Sequence, residues 1–275
     1  MQISPRYEGP VIVEVDGVGD PSAALMRQRL RLASVLEGLN EEQWTTPSRC
    51  AGWSVKDVVA HLGGTDRFWA LSFSAALRGE PTRFLATFDP VATPAAMVER
   101  ERSVPAQDVL ANYRANLAAL GDVIDDLDDA QWSMPSEAPP GHVALRVAAL
   151  HALWDAWIHE RDIVIPLGLP VVEDDEELEL VLRYIVALSP GFYAAGGSTR
   201  TATLLVDATN PSLRLQVEAG TSVRVSDARD DRGALIAGST VDIIEGLSHR
   251  APLEHSMGEE NAWLLHGLAE VFDQV

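Results

Sequence analysis

One cysteine in 275 residues, Cys50, excludes a disulfide within the chain and fits a reducing compartment. Basic residues are also scarce: 21 Lys plus Arg stand against 41 Asp plus Glu, a formal net charge of −20. Nucleic-acid and anionic-membrane partners both need a basic face, so this balance argues against them. The first residues, MQISPRYEGPVIVEVDG, lack the apolar core of a signal peptide, and no stretch reaches the ~20 apolar residues of a membrane span. The expected location is therefore the cytoplasm. There is no Gly-rich phosphate loop, no Ser-centred nucleophile elbow and no Cys-x-x-Cys. Aromatics are few except for seven Trp, and Trp53, Trp69, Trp154 and Trp157 lie close in sequence to the residues singled out below.

The length exceeds what one core usually serves, so one large or two modest domains are expected. Residues 1–19 read as an extended lead-in with a short strand at Val11–Val15. Asp20-Pro21 opens a helix that runs to about Leu39. Ser54 to Asp57 is a capping box, and Val55, Val58, Val59 and Leu62 then recur at helical spacing. This second helix runs to about Arg78, with Gly63-Gly64 permitting close packing or a bend. Residues 79–105 are irregular. Further helices are expected at 106–127 and 142–164, with a loop at Pro135–Gly141 between them.

The segment from Gly38 to Ser48, GLNEEQWTTPS, echoes Asp126 to Ser136, DLDDAQWSMPS. Each copy joins one helix to the next, a pattern for a four-helix bundle made of two similar hairpins. A helix at 174–188 follows, and the acidic run Glu173–Glu179 reads as a solvated face. Four short strands are then expected at 203–206, 213–217, 222–225 and 234–237, separated by turn residues. Two helices, at 240–248 and 259–272, close the chain. The fold class is α+β, with an N-terminal helical bundle (1–189) and a smaller α+β domain (190–275).

The chemistry centres on Asp155 and His159 in LWDAWIHERDI. Residues four apart stack on one helix face, so a carboxylate and an imidazole placed this way can share one metal ion. His61, from another helix, can close a three-ligand site that keeps positions open for water or substrate. Acid–His pairs at this spacing also occur as plain surface contacts. His151 competes with His61 but lies in one row with Asp155 and His159, and three ligands in a row cannot easily surround an ion. Asp162 can orient the His159 imidazole or form a salt bridge near the helix end. Cys50 sits just before a helix N-terminus but lacks an identifiable basic partner, so it reads as a structural thiol.

The segment Ser48 to Leu62, SRCAGWSVKDVVAHL, resembles the signature of the mycothiol-dependent maleylpyruvate isomerase family, a group of DinB-like metal-binding helical bundles. Asp155 to Ile163, DAWIHERDI, is similar to its second motif, and the C-terminal region resembles the family's sterol-carrier-like α+β domain. The resemblance implies a DinB-like four-helix bundle whose divalent metal is held by His61, Asp155 and His159. In the isomerase the acid is Glu; Asp155 is one methylene shorter, roughly 1.5 Å. The isomerase also uses an Arg in a Leu-x-Gly-Arg context. Leu247-Ser248-His249-Arg250 is similar, which makes Arg250 a candidate ligand for a substrate carboxylate, or else a helix C-cap Arg.

By that resemblance the nucleophile is the thiol of mycothiol, activated by the metal, and the partner is a small electrophilic molecule. Isomerase and S-transferase share this first step. Zinc suits the ligand set, and nickel, manganese and iron are compatible. A metal hydrolase using metal-bound water, and a non-catalytic DinB-like binding or stress-response protein, remain alternatives, in a monomer or homodimer.

Overall fold

The structure, a computed structural model, describes residues 4–255 and 257–271. The chain starts with a short strand, β1 (Val13–Val15), and enters α1 (Ser22–Glu37), where Asp20 accepts from the Ser22 N–H at 2.8 Å. A one-turn helix, α2 (Glu41–Thr45), leads to α3 (Val55–Leu77). The capping box at α3 forms: Ser54 accepts from the Asp57 N–H, and Asp57 accepts from the Ser54 N–H at 2.9 Å. Gly63 lets α3 press on the next long helix, since a Cβ there would meet Tyr113 Cα at 3.4 Å.

The region expected to be irregular holds a 3-10 turn at Phe84–Thr87 and a helix, α4 (Ala92–Glu101). Next come α5 (Ala106–Ile124) and the short α6 (Asp129–Trp132). Residues 135–141 are not a loop. β2 (Pro135–Ala138) and β3 (Gly141–Ala144) form an antiparallel hairpin around Pro139-Pro140, and α7 (Leu145–Val164) starts only after it. The three prolines at 135, 139 and 140 mask the strands in the sequence. In the bundle, α1 and α3 each pack on both α5 and α7.

The sequence echo is a structural repeat. α2 and α6 carry the same capping box, Asn40 with Gln43 and Asp128 with Gln131, and each buries its Trp (Trp44 and Trp132, both 2% exposed). Each turn then bonds to the start of the following helix in the same way. Val55 N–H donates to Thr46 O at 2.9 Å, and Leu145 N–H donates to Met134 O at 2.8 Å. Counted from those helix starts, His61 on α3 corresponds to His151 on α7, and Trp69 corresponds to His159. The cross-pairs match: the His61 and His159 rings are 5.0 Å apart, and the His151 and Trp69 rings 5.4 Å.

α8 (Asp175–Ala195) is longer than its expected span and continues through Pro190. Phe192 and Ala194, past the proline, are buried and keep the last turn in place. By length and composition α8 could cross a membrane, but 78% of its apolar window is buried inside the protein. The acidic run is not wholly solvated. Glu177 at the start of α8 is fully buried and pairs with Arg31 at 2.7 Å and Arg27 at 3.2 Å.

Four strands follow, β4 (Ala202–Thr209), β5 (Leu213–Ala219), β6 (Val223–Asp227) and β7 (Ala234–Ser239), then α9 (Thr240–Leu247) and α10 (Trp263–Val271). A 3-10 turn at Glu259–Asn261 precedes α10. The expected end of this last helix at residue 272 lies outside the described residues, as do residues 1–3 of the lead-in. The sheet order is β1-β6-β5-β4-β7. β1 runs parallel to β6, with Val13 opposite Val223, so the N-terminal lead-in is an edge strand of the C-terminal sheet. The expected boundary at 189/190 falls inside α8, which packs on α7 and α1 on one side and on β5, β6 and α10 on the other.

Candidate metal centre

α7 is buried on nearly all sides because α1, α3 and α8 pack around it, and this carries its polar residues inward. Asp155 and His159 stand one turn apart on it, and His61 reaches them from α3. Asp155 Oδ1 lies 3.7 Å from His61 Nε2 and 3.6 Å from His159 Nε2. The ligand atoms of all three residues lie within 4.8 Å of one another. Zinc bonds to N and O of about 2.0–2.2 Å in a tetrahedron separate neighbouring ligand atoms by about 3.4 Å, so the spacing suits a small divalent ion. The shorter Asp155 side chain still reaches both imidazoles.

Two buried atoms at this point have no hydrogen-bond partner among the described residues: Asp155 Oδ2 and His61 Nδ1. An unsatisfied buried carboxylate oxygen is costly, and a cation held by Asp155 would offset that cost. Trp53 leans on the His61 ring at 5.3 Å and forms an apolar wall. Burial pushes the Asp155 carboxyl up, but the imidazoles of His61 and His159 beside it hold it well below the usual carboxylate range.

Asp162 accepts from His159 Nδ1 at 3.0 Å. That bond fixes an Nδ1 proton toward Asp162 and aims Nε2 at Asp155, where a metal ion would take the place of the Nε2 proton; this is the arrangement of a metal-binding histidine backed by a carboxylate. Asp162 is fully buried and collects further donors: Cys50 Sγ at 3.2 Å, and Arg250 through Nε at 3.0 Å and Nη2 at 3.0 Å. Burial opposes its ionisation, but His159 and Arg250 keep the carboxyl well below its ordinary range. Burial likewise pushes the His159 imidazole down, and the hydrogen bonds to Asp162 and Cys50 outweigh it, so its pKa is raised well above the usual value.

Arg250 is turned into the protein, with its side chain 10% exposed and both fork nitrogens engaged by Asp162. It follows α9 in a turn where His249 is left-handed (φ 56°), the position filled by Gly in the Leu-x-Gly-Arg pattern. His151 stands apart from the cluster. Its Nδ1 pairs with the Tyr184 hydroxyl at 2.5 Å, and burial pushes its pKa down to about 4.

Sequence reasoning gave Cys50 no partner. In space its sulfur is 3.5 Å from His159 Nδ1 and 3.6 Å from Arg250 Nη2. Arg49, Glu245 and Arg161 were also missed. Glu245 on α9 accepts from Arg49 on Nη1 at 2.9 Å and from Arg161 Nε at 2.6 Å, which ties α9 to the bundle. The available signal was density: Arg49, Cys50 and Trp53 lie in the same short segment as His61.

Residues 25–164 match the family of the mycothiol maleylpyruvate isomerase N-terminal domain. The crystal structure of the mycothiol-dependent maleylpyruvate isomerase superposes with a TM-score of 0.59 at 15% identity, covering 84% of this chain and 88% of that chain. A histidine-to-alanine mutant of the isomerase gives 0.58 over the same shares. YfiT from Bacillus subtilis, described as a probable metal-dependent hydrolase with an unusual four-helix bundle topology, aligns with a TM-score of 0.45 at 18% identity, over 60% of this chain and 95% of that chain, too loosely to carry an argument. No curated protein matches. The matched segment holds His61, Asp155, His159 and Asp162 and makes up just over half of the sequence, so the chain belongs to the mycothiol maleylpyruvate isomerase N-terminal domain family.

Proposed function

We propose that this chain is a metal-dependent isomerase or S-transferase that adds a low-molecular-weight thiol, mycothiol, to a small electrophilic substrate. The observation that carries this reading is the convergence of His61, Asp155 and His159 around an unsatisfied carboxylate oxygen. These three side chains would hold the divalent metal, and zinc suits two imidazoles and a carboxylate. When bound, the metal supplies a Lewis acid that lowers the pKa of a thiol placed on it.

The chain's own residues do the rest. Asp162 keeps the His159 proton on Nδ1 and so keeps Nε2 available. The Asp155 carboxylate, held ionised by the imidazoles beside it, would offset the charge of the metal. Trp53 shields one side of His61 from water. In an isomerase the thiol adds to a conjugated C=C bond, the bond rotates and the thiol leaves; in a transferase it stays. An external thiol as nucleophile fits a protein whose one cysteine, Cys50, is 6% exposed and donates to Asp162.

The test is elemental analysis of purified protein beside His61→Ala and His159→Ala, with consumption of a panel of small conjugated acids and epoxides followed with and without mycothiol. About one metal per chain, lost in both variants, and consumption only with the thiol are expected. No metal after reconstitution with zinc, or turnover without thiol, overturns the reading, and the latter outcome identifies a hydrolase.

A further inference from the structure

The sequence offers two places for Arg250, against a substrate carboxylate or at the C-terminal cap of α9. In the structure its guanidinium bonds to the protein. Nε donates to Asp162 Oδ1 at 3.0 Å, Nη2 to Asp162 Oδ2 at 3.0 Å, and Nη1 to Ser248 O at 3.3 Å. The same Asp162 Oδ2 accepts the His159 Nδ1 proton. A continuous chain therefore runs from α9, through Arg250 and Asp162, to the imidazole whose Nε2 faces Asp155. The chain is anchored twice. Glu245 on α9 holds Arg49 and Arg161 of the bundle. Arg49 in turn donates its backbone N–H to Asp162 O at 3.1 Å and reaches Arg250 O with its side chain at 3.4 Å.

We propose that Arg250 is a positioning residue, acting on His159 through Asp162, so that docking of α9 on the bundle sets the metal affinity of the site. The proposal rests on the metal reading above. Its physical basis is the position of Asp162. A fully buried carboxylate that loses its bidentate partner turns toward the donors left to it, here Arg49, whose Nε lies 3.5 Å from Asp162 Oδ1. That turn removes the fixed acceptor for His159 Nδ1 and frees the ring to rotate away from its ligand orientation. Groups that orient a metal-binding histidine in this way typically change affinity by about 10–100-fold when removed.

The experiment is a Co²⁺ titration of metal-free protein, followed by visible absorption against a competing chelator, with no thiol or substrate present. Wild type, Arg250→Gln and Arg250→Lys are compared. Arg250→Gln is expected to bind about 10–100-fold more weakly. Arg250→Lys keeps the charge but not the fork, and is expected to fall between. Equal affinity in the three proteins overturns the proposal and returns Arg250 to the substrate, which a substrate-free titration does not sense. If Arg250→Gln does not fold, the Lys variant against wild type decides by the same criterion. In parallel, the ¹⁵N resonances of His159 in metal-free protein are expected to move in the variants while those of His142, remote in β3, stay; unmoved His159 resonances overturn the proposal. A wild type that takes up no Co²⁺ overturns the metal reading itself, an outcome distinct from equal affinities.

Discussion

His61 on α3 and His151 on α7 occupy equivalent places in two successive helix hairpins, yet only His61 has an acid and a second histidine beside it. Where His61 meets His159, His151 meets Trp69. The set of His61, Asp155 and His159 thus occurs once in the repeat, and one metal bound there is expected. His151→Phe is expected to keep that metal, whereas His61→Ala loses it. Elemental analysis of the two variants side by side decides, and metal loss in His151→Phe would move that residue into the ligand set.

The same His151 makes a pH prediction. Burial lowers its pKa to about 4, so it is neutral in the folded protein, while the unfolded chain takes up a proton near pH 6.5. Its contribution to stability is therefore complete above pH 6.5 and is lost as pH falls toward 4. At about 1.4 kcal/mol per pH unit the loss is about 3 kcal/mol. Urea unfolding at pH 7 and pH 5 should show a smaller difference in His151→Phe than in wild type. Identical differences would remove His151 as the source.

Arg29 and Asp66 pair at 2.7 Å with both side chains 1% exposed, and Arg29 also donates to Ala152 O at 3.1 Å. This contact joins α1, α3 and α7 inside the bundle. Arg29→Ala leaves a buried carboxylate without its cation and is expected to cost about 3–5 kcal/mol. The double change Arg29→Met with Asp66→Leu is expected to recover most of that. Denaturant midpoints measure both, and a double variant no better than Arg29→Ala would show that the apolar pair does not fill the space.

His249 closes α9 in a left-handed conformation, with Arg250 N–H donating to Glu245 O at 2.8 Å and His249 N–H to Gly246 O at 3.1 Å. Glycine takes this position without a Cβ penalty. His249→Gly is expected to raise stability by about 1 kcal/mol. A thermal midpoint at or below that of wild type would contradict it.

Local signals made much of this legible in advance. The capping box at Ser54, the apolar stripe after it and the GLNEEQWTTPS echo each act within a dozen residues, and α3, α7 and the repeat appear where those signals stand. His61, Asp155 and His159 are brought together because the helices carrying them run where their periodicity puts them. Contacts made by packing left no such trace. Cys50 meets Asp162 and Arg250 across 112 and 200 residues, and Glu177 is buried against Arg27 and Arg31 of α1. The β2/β3 hairpin was hidden by prolines, which signal a turn but do not forbid the four-residue strands around it.

The parallel pairing of β1 with β6 joins one of the earliest described segments to one made roughly 200 residues later. At about 5–20 residues per second on the ribosome, β1 spends tens of seconds without its partner, while the bundle helices that follow it have already emerged. The sheet therefore closes only after the bundle helices have been made. A gene cut between bundle and sheet would leave β6 with a bare edge, open to pairing with a neighbouring molecule. Expression of the C-terminal part alone should be judged by its solubility before its activity.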